Sequence, residues 1–167
     1  MSPLRRPAVE AGVVRSRQDV LADVKEYVLR LLGRKDYTEK QLQAKLARKG
    51  YTRPSAAEAI RYFKERNLIN DEKFAFRYSE ARLDSRPCGP RLLEFELARK
   101  GIEKKLIKQV VGKMFEAKPE TEFAREAVRR KFGRKAEREK VYRFLLRRGF
   151  SFDVMTGTLN RARITNE

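Results

Sequence analysis

The sequence predicts an all-α protein of about nine helices, arranged as three tandem three-helix repeats. No segment shows the sustained apolar–polar alternation of a strand, whereas apolar residues recur at helical spacing along most of the chain. One phrase also occurs three times, as LARKGY at 46–51, LARKGI at 97–102 and, more loosely, LLRRGF at 145–150. Its glycines lie about fifty residues apart, and such a period indicates one supersecondary unit repeated along the chain.

Each copy of this phrase is typical of the end of a helix. Two cations in the last turn complement the negative end of the helix dipole. A left-handed glycine then stops the helix, and the apolar residue after it packs back on the last turn. The same cations can also form a binding surface, and the two roles are compatible. The pairs are Arg48-Lys49, Arg99-Lys100 and Arg147-Arg148.

Length and composition allow one domain or three small ones. Of the 167 residues, 41% are hydrophobic and 38% are charged. No apolar run is long enough to span a membrane, and the N-terminal arginines lack the continuous apolar core of a secretory signal. The single cysteine, Cys88, cannot form an internal disulfide, which fits a reducing compartment. We therefore expect a cytoplasmic protein without a membrane segment.

The net charge is +18, and every quarter of the chain contributes to it. The charge is therefore not a tail attached to a neutral body. A field of one sign along the whole molecule favours a long polyanion or an acidic protein surface as the partner. A general arginine bias of the protein's composition is the alternative explanation.

The repeats divide the chain into four predicted parts. Residues 1–17 contain scattered arginines and no periodicity, which predicts a flexible basic arm. Three-helix repeats are predicted to follow at 18–70, at 71–118 and at 119–167, the last with a short C-terminal tail.

In the first repeat, the first helix carries an apolar stripe of seven residues at helical spacing. Thr38 and Gln41 form a capping box that predicts the start of the second helix, and Gly50 ends that helix. Thr52 or Ser55 begins the third helix, with a proline in its first turn.

In the second repeat, Asn70 is the predicted N-cap of the first helix. The apolar stripe of this helix consists of Phe74, Ala75, Tyr78 and Ala81. The segment Arg86-Pro87-Cys88-Gly89-Pro90-Arg91 then breaks the helix, and Pro90 stands where the next helix can begin. That helix is predicted to end at Gly101.

In the third repeat, Pro119 opens the first helix, Gly133 ends it, and Ser151 is the predicted cap of the last helix. The second helix is expected to bury Val141, Tyr142, Leu145 and Leu146, and the last one Phe152, Met155 and Leu159. The densest basic stretch of the chain lies at 129–148. Such a stretch is either a binding surface or a set of solvated helix faces.

The sequence offers little catalytic chemistry. It contains no histidine, which removes the commonest general base and metal ligand, and one cysteine cannot build a zinc cluster. Gly112-Lys113 lacks the glycine and the hydroxyl residue of a phosphate-binding loop. Acidic pairs such as Asp71-Glu72 are better explained as charges at helix starts. We predict no enzyme activity, no cofactor and no metal.

The chain resembles RecX, the bacterial regulator of the RecA recombinase, over roughly residues 19–160. The matching motifs, in family order, are Tyr37-Thr38-Glu39 with Leu42, Leu46 and Lys49-Gly50-Tyr51; Leu68-Ile69-Asn70-Asp71-Glu72-Lys73-Phe74-Ala75; Gly89-Pro90-Arg91 with Glu96-Leu97 and Lys100-Gly101-Ile102; and Arg130-Lys131-Phe132-Gly133 followed by Phe144-Leu145-Leu146-Arg147-Arg148-Gly149-Phe150. No single motif is strong, but the series is hard to produce by chance.

The resemblance implies an elongated, curved row of three repeats that binds RecA and its filament on DNA. It implies inhibition of RecA ATP hydrolysis, strand exchange and coprotease activity, in recombination, DNA repair and the SOS response. Direct contact with single- or double-stranded DNA is also implied for some members. A monomer is the default expectation.

The candidate contacts with the filament or with DNA are the repeated cation pairs, one arginine after the central break, and the basic stretch. They are Arg48, Lys49, Arg91, Arg99, Lys100, Arg129, Arg130, Lys131, Arg134, Arg138, Arg143, Arg147 and Arg148. Two alternatives stay open. One is a sequence-independent DNA-binding protein built of helix-turn-helix-like units. The other is an inert helical adaptor with a basic bias.

Overall fold

The structure, a computed structural model, describes residues 16–133 and 137–161. Over these residues the chain forms nine α-helices and no strand, so the predicted all-α fold class is confirmed. Most of the arm predicted at 1–17 and the predicted C-terminal tail lie outside the described residues. The helices are α1 Arg17–Leu32, α2 Glu39–Lys49, α3 Arg53–Glu65, α4 Asp71–Ser85, α5 Pro90–Lys100, α6 Lys104–Ala117, α7 Glu120–Phe132, α8 Arg138–Arg147 and α9 Phe152–Arg161.

The helices form three bundles, which we call repeat 1 (α1–α3), repeat 2 (α4–α6) and repeat 3 (α7–α9). In each repeat the third helix packs against both the first and the second. Helices of this length are marginal in isolation, so burial of their apolar stripes in the bundle supplies most of their stability.

The predicted helix starts are confirmed in repeats 1 and 2. The Thr38 hydroxyl accepts a hydrogen bond from the Gln41 N–H at 3.2 Å, and the Gln41 side chain accepts one from the Thr38 N–H at 3.2 Å. These bonds complete the capping box of α2. Thr52 and Asn70 accept from the third residue of α3 and of α4, and Pro90 is the first residue of α5.

The three repeated phrases end helices as predicted. Gly50, Gly101 and Gly149 have φ angles of 94°, 90° and 74°, in the left-handed region that favours glycine. Each glycine N–H donates to the carbonyl three residues back, and the following N–H donates to the carbonyl five residues back. Each phrase therefore forms a Schellman motif, which satisfies carbonyls in the last turn.

Three residues of the predicted apolar stripes are exposed instead, and these are Ala81, Leu146 and Phe152. In α4 the buried face passes through Ala75, Ser79 and Leu83. Ser79 is tolerated there because its hydroxyl donates to the Ala75 carbonyl at 2.7 Å. In α8, Phe144 takes the buried place that was predicted for Leu146. Helical spacing alone did not determine which edge of each stripe faces a neighbouring helix.

The buried apolar side chains form two hydrophobic clusters rather than three. Repeat 1 has its own cluster, with Leu42 and Leu46 fully buried in it. Repeats 2 and 3 share a single cluster, in which Cys88 (0% exposed) and Phe150 (1% exposed) come from the two sides of the junction. Repeats 2 and 3 are thus joined through a common core, and repeat 1 is not.

Candidate functional site

The second helices of the three repeats, α2, α5 and α8, meet end to end. A Cβ added to Gly101, after α5, would lie 2.5 Å from the Lys40 Cβ at the start of α2. A Cβ added to Gly149, after α8, would overlap the Leu92 backbone at the start of α5. At Gly50, after α2, an added Cβ would have no described residue within 4 Å. The repeated glycines therefore end helices and also let successive repeats approach.

The joint between repeats 2 and 3 is closed by backbone and apolar contacts. The Gly89 N–H donates to the Arg148 carbonyl at 2.9 Å, and a Cβ on Gly89 would overlap the Gly149 carbonyl. The Arg148 guanidinium donates to the Pro87 carbonyl at 3.3 Å. Cys88 is buried at this joint, and its burial raises the pKa of its thiol to about 11.

The joint between repeats 1 and 2 places the same helix ends together through polar side chains. The Thr38 hydroxyl donates to the Lys100 carbonyl at 2.6 Å. The Glu39 N–H, at the start of α2, donates to the Asp71 carboxylate at 2.9 Å. Two ion pairs flank these bonds, Lys64 with Glu39 at 2.6 Å and Arg77 with Asp36 at 2.7 Å.

The two cations of each repeated pair have different surroundings, most clearly in repeats 2 and 3. The second cation lies over an aromatic ring of its own repeat, which favours a cation–π contact. The distances to the ring centres are 5.9 Å for Lys49 over Tyr27, 4.2 Å for Lys100 over Tyr78 and 5.0 Å for Arg148 over Phe144. Burial lowers the pKa of Lys100 and that of Arg148. The first cations, Arg48, Arg99 and Arg147, are exposed, as is Lys49, and Arg99 lies 5.8 Å from the ring centre of Phe95.

Besides Arg148, two arginines of the basic stretch are engaged in tertiary contacts. The Arg130 guanidinium donates to the carbonyls of Asp84 at 2.6 Å and Ser85 at 3.2 Å, across the joint between repeats 2 and 3. The Arg138 guanidinium donates to the Asn160 side-chain oxygen at 3.2 Å and so links α8 to α9.

The other described cations of the stretch lie at the surface. Arg129 and Lys131 are exposed in the last turn of α7. Arg143 is exposed on α8 and pairs with Glu139 at 3.2 Å. Arg134 lies outside the described residues.

Several predicted residues come together beside the joint between repeats 2 and 3. Arg130, Lys131 and Arg148 line a cavity of about 140 Å³ there, together with Arg86. Sequence reasoning did not select Arg86, because its position is set by the backbone path of the segment that links α4 to α5. Arg91 lies elsewhere, in a groove between α5 and α6.

Comparison with known proteins identifies the family. Family models for the first, second and third three-helix domains of RecX match residues 25–63, 70–111 and 120–156. The chain is 33% identical over 138 residues to "Regulatory protein RecX" of Caldanaerobacter subterraneus subsp. tengcongensis, covering 83% of this chain and 70% of that protein. The chain belongs to the RecX family.

Other RecX proteins extend this result. "Regulatory protein RecX" of Vibrio parahaemolyticus is 33% identical over 150 residues, which cover 86% of this chain and 94% of that protein. The crystal structure of RecX from Lactobacillus salivarius superposes with a TM-score of 0.75 at 20% identity, covering 87% of this chain and 97% of that chain. This structural likeness shows a shared fold, and together with the RecX family match it points to a regulator rather than a catalyst.

Two kinds of feature are absent from residues 16–133 and 137–161. In these parts of the chain, no group of three or more histidine, cysteine or acidic side chains is placed to hold a metal ion. None of the nine helices is both long and apolar enough to cross a membrane.

Proposed function

We propose that this RecX protein binds RecA and the RecA filament on DNA. Binding inhibits ATP hydrolysis, strand exchange and coprotease activity, and so restrains recombination and the SOS response. The regulatory name of its RecX relatives supports this proposal, and so does the positive charge along the chain.

The end-to-end row of α2, α5 and α8 is the observation that carries the proposal. Each helix of this row ends in the same motif and exposes its first cation at the same place. A filament likewise presents one surface many times. Several weak contacts at matching intervals give a higher combined affinity than any one of them, provided that all can form together.

We assign different roles to the candidate residues. The exposed cations Arg48, Arg99 and Arg147 contact the filament, and Arg91, Arg129, Lys131 and Arg143 add to this surface. Lys100, Arg130 and Arg148 instead maintain the joints and the packing of their repeats, because their side chains lie over rings or donate to backbone carbonyls.

Titration of RecA ATP hydrolysis on single-stranded DNA tests the function. We expect inhibition when this protein is present well below the RecA concentration, at a salt concentration where it binds bare DNA weakly. Full hydrolysis at every ratio would contradict the proposal.

Charge reversal tests the surface assigned to the basic stretch. Arg129→Glu with Lys131→Glu should weaken inhibition about tenfold, because both side chains are exposed and repulsion replaces attraction. The matched control is Arg61→Glu with Lys73→Glu, two exposed cations outside the candidate set. Equal loss in both double variants would show a general effect of net charge rather than a surface at α7.

The net charge of +18 also favours a second candidate function, sequence-independent DNA binding. In that case inhibition would require enough protein to cover the DNA, and it would fall in parallel with DNA affinity as salt rises. The same titration, repeated at two salt concentrations, separates the two functions.

A further inference from the structure

Repeats 1 and 2 carry the same groove between their second and third helices. All eight residues that line it in repeat 1 correspond, position by position, to the eight that line it in repeat 2. The groove of repeat 1 is lined by Lys40, Gln43, Ala44, Ala47, Tyr51, Arg53, Ala56 and Ala57. The groove of repeat 2 is lined by Arg91, Glu94, Phe95, Ala98, Ile102, Lys104, Ile107 and Lys108. The volumes are about 520 Å³ and 440 Å³.

Large apolar side chains are exposed in the groove of repeat 2 and at the corresponding positions of repeat 3. Phe95 is 58% exposed in the groove of repeat 2. When Gly149 is aligned with Gly101, the corresponding positions of repeat 3 include Leu146 and Phe152, which are 50% and 63% exposed. Only two other large hydrophobic side chains of the described residues, Leu29 and Leu68, are comparably exposed. Exposed apolar surface that is concentrated in this way marks an interaction site.

The rims of the first two grooves are basic. Lys40 and Arg53 border the groove of repeat 1, with no acidic residue in its lining. The groove of repeat 2 has three cations and the single carboxylate of Glu94. Within the part of the chain that the structure describes, none of these five cations forms an ion pair. Their charge is therefore available to an acidic partner.

We propose that these grooves bind acidic protein segments, each of which inserts an apolar side chain between a second and a third helix. Successive subunits of the RecA filament supply one such segment each, so the inference rests on the proposed function and names the contact that it uses. Apolar burial in the groove provides affinity, and the basic rim selects acidic segments and speeds their capture. When one filament occupies several grooves, the combined affinity exceeds that of any single groove.

The composition of the grooves favours a protein segment over single-stranded DNA. Bases need an aromatic platform on which to stack. The groove of repeat 1 has Ala44 where repeat 2 has Phe95, and its lining includes four alanines and one aromatic residue, Tyr51. The Tyr51 hydroxyl donates to the Asp23 carboxylate at 3.0 Å, which ties this ring to α1. A concave surface lined mainly by alanine accepts a protruding apolar side chain and offers a base little area for stacking.

The first test compares two substitutions of equally exposed apolar residues. Phe95→Ala removes the side chain at the groove of repeat 2, and Leu29→Ala removes one that is 56% exposed on α1, away from every groove. Affinity is measured on RecA filaments that are assembled on tethered single-stranded DNA with a non-hydrolysable ATP analogue. We expect Phe95→Ala to bind about tenfold more weakly, and Leu29→Ala to change affinity by less than about twofold.

The second test addresses the rim. Arg91→Glu with Lys104→Glu should weaken filament binding about tenfold, and the loss should shrink as salt rises. The control is Arg61→Glu with Lys73→Glu, which makes the same change in net charge at exposed positions outside the grooves. Circular dichroism and the urea midpoint establish that each variant is folded.

The outcomes separate the groove from the function. If the wild-type protein does not bind the filament, the proposed function fails. If it binds and both the Phe95 and the rim variants match their controls, the grooves are not the contact and the function stands. If Phe95→Ala lowers affinity for bare single-stranded DNA by the same factor, the grooves bind nucleic acid and the inference is overturned.

Discussion

In the joint between repeats 2 and 3, a backbone N–H meets a backbone carbonyl within a shared hydrophobic cluster. In the joint between repeats 1 and 2, the same helix ends are linked by side-chain hydrogen bonds and one ion pair, Arg77 with Asp36, between two separate clusters. Thr38 of the polar joint stands where Gly89 stands in the apolar one. The Thr38 hydroxyl donates to the Lys100 carbonyl, and the Gly89 N–H donates to the corresponding carbonyl, that of Arg148.

This difference indicates where the row of repeats can bend. A shared core makes opening of one joint costly, because apolar surface of both repeats would meet water. A joint of a few hydrogen bonds and one exposed ion pair costs much less to open, since water replaces those bonds. We therefore expect repeats 2 and 3 to move as one body and repeat 1 to adjust against them.

The largest effect is expected from Gly149→Ala. The added Cβ would be strained by the positive φ and would overlap Leu92 at the apolar joint. We expect the free energy of unfolding, measured with urea, to fall by about 3 kcal/mol. Cys88, which is 0% exposed in the wild-type fold, should then react with iodoacetamide.

The control for this substitution is Gly50→Ala, at the unoccupied end of the row. Its φ of 94° is also positive, but no described atom lies within 4 Å of the new Cβ. A loss of only about 1 kcal/mol is expected, with Cys88 still protected. Equal losses for the two variants would show that backbone strain, rather than the joint, explains the role of the glycine.

Thr38→Ala should have a smaller effect, confined to the polar joint. Thr38 caps α2 and donates to the Lys100 carbonyl, so about 2 kcal/mol of unfolding free energy is expected to be lost. Thr52→Ala removes an exposed cap without a joint contact and should cost about 1 kcal/mol. Rapid alkylation of Cys88 in Thr38→Ala would show that the two joints are coupled.

The pH dependence of unfolding distinguishes two carboxylates. Burial raises the pKa of Glu96, but hydrogen bonds from Arg82 and Tyr78 outweigh it and leave the pKa lowered. Glu96 therefore stabilises the fold above its unfolded pKa, and this contribution is lost as pH falls through its folded pKa. At the polar joint, burial raises the pKa of Asp71 despite the Glu39 N–H. Ionised Asp71 therefore opposes folding, and acid relieves that cost.

Urea unfolding between about pH 7 and about pH 3 tests both signs, because the Glu96 contribution is lost only below the ordinary carboxyl pKa. Stability should decline less steeply with acid in Glu96→Gln than in the wild type, because the stabilising charge is already absent. It should decline more steeply in Asp71→Asn, because the compensating relief is removed. Parallel slopes for all three proteins would contradict both assignments.

The smallest effect is expected from Arg77→Ala. Its ion pair with Asp36 crosses the polar joint at 2.7 Å, but the two side chains are 72% and 56% exposed. Loss of such a pair should change the unfolding free energy by less than about 0.5 kcal/mol. A loss near 2 kcal/mol would mean that the polar joint is stronger than its exposure indicates.

Interactions between residues close together in the chain account for most of what the sequence alone determined about this protein. The apolar spacing predicts the helices, and Thr38, Asn70 and Pro90 mark helix starts by contacts within one turn. Gly50 and its counterparts stop helices through hydrogen bonds that span six residues or fewer. These interactions join residues that are close together in the chain, so a local sequence pattern predicts them. The fold class and the RecX resemblance could therefore be predicted from the sequence.

The tertiary structure decided what the repeated residues do. Arg99 and Lys100 are neighbours in the chain, yet one side chain is exposed and the other lies over Tyr78. Arg91 and Lys104 line the same groove because α5 packs beside α6, a relation that no local pattern predicts. Whether a joint is apolar or polar likewise depends on which surfaces successive repeats bury against each other. Packing between distant segments sets these relations. The sequence therefore predicted the repeats, but it did not predict which cations are exposed and which contact rings or backbone carbonyls.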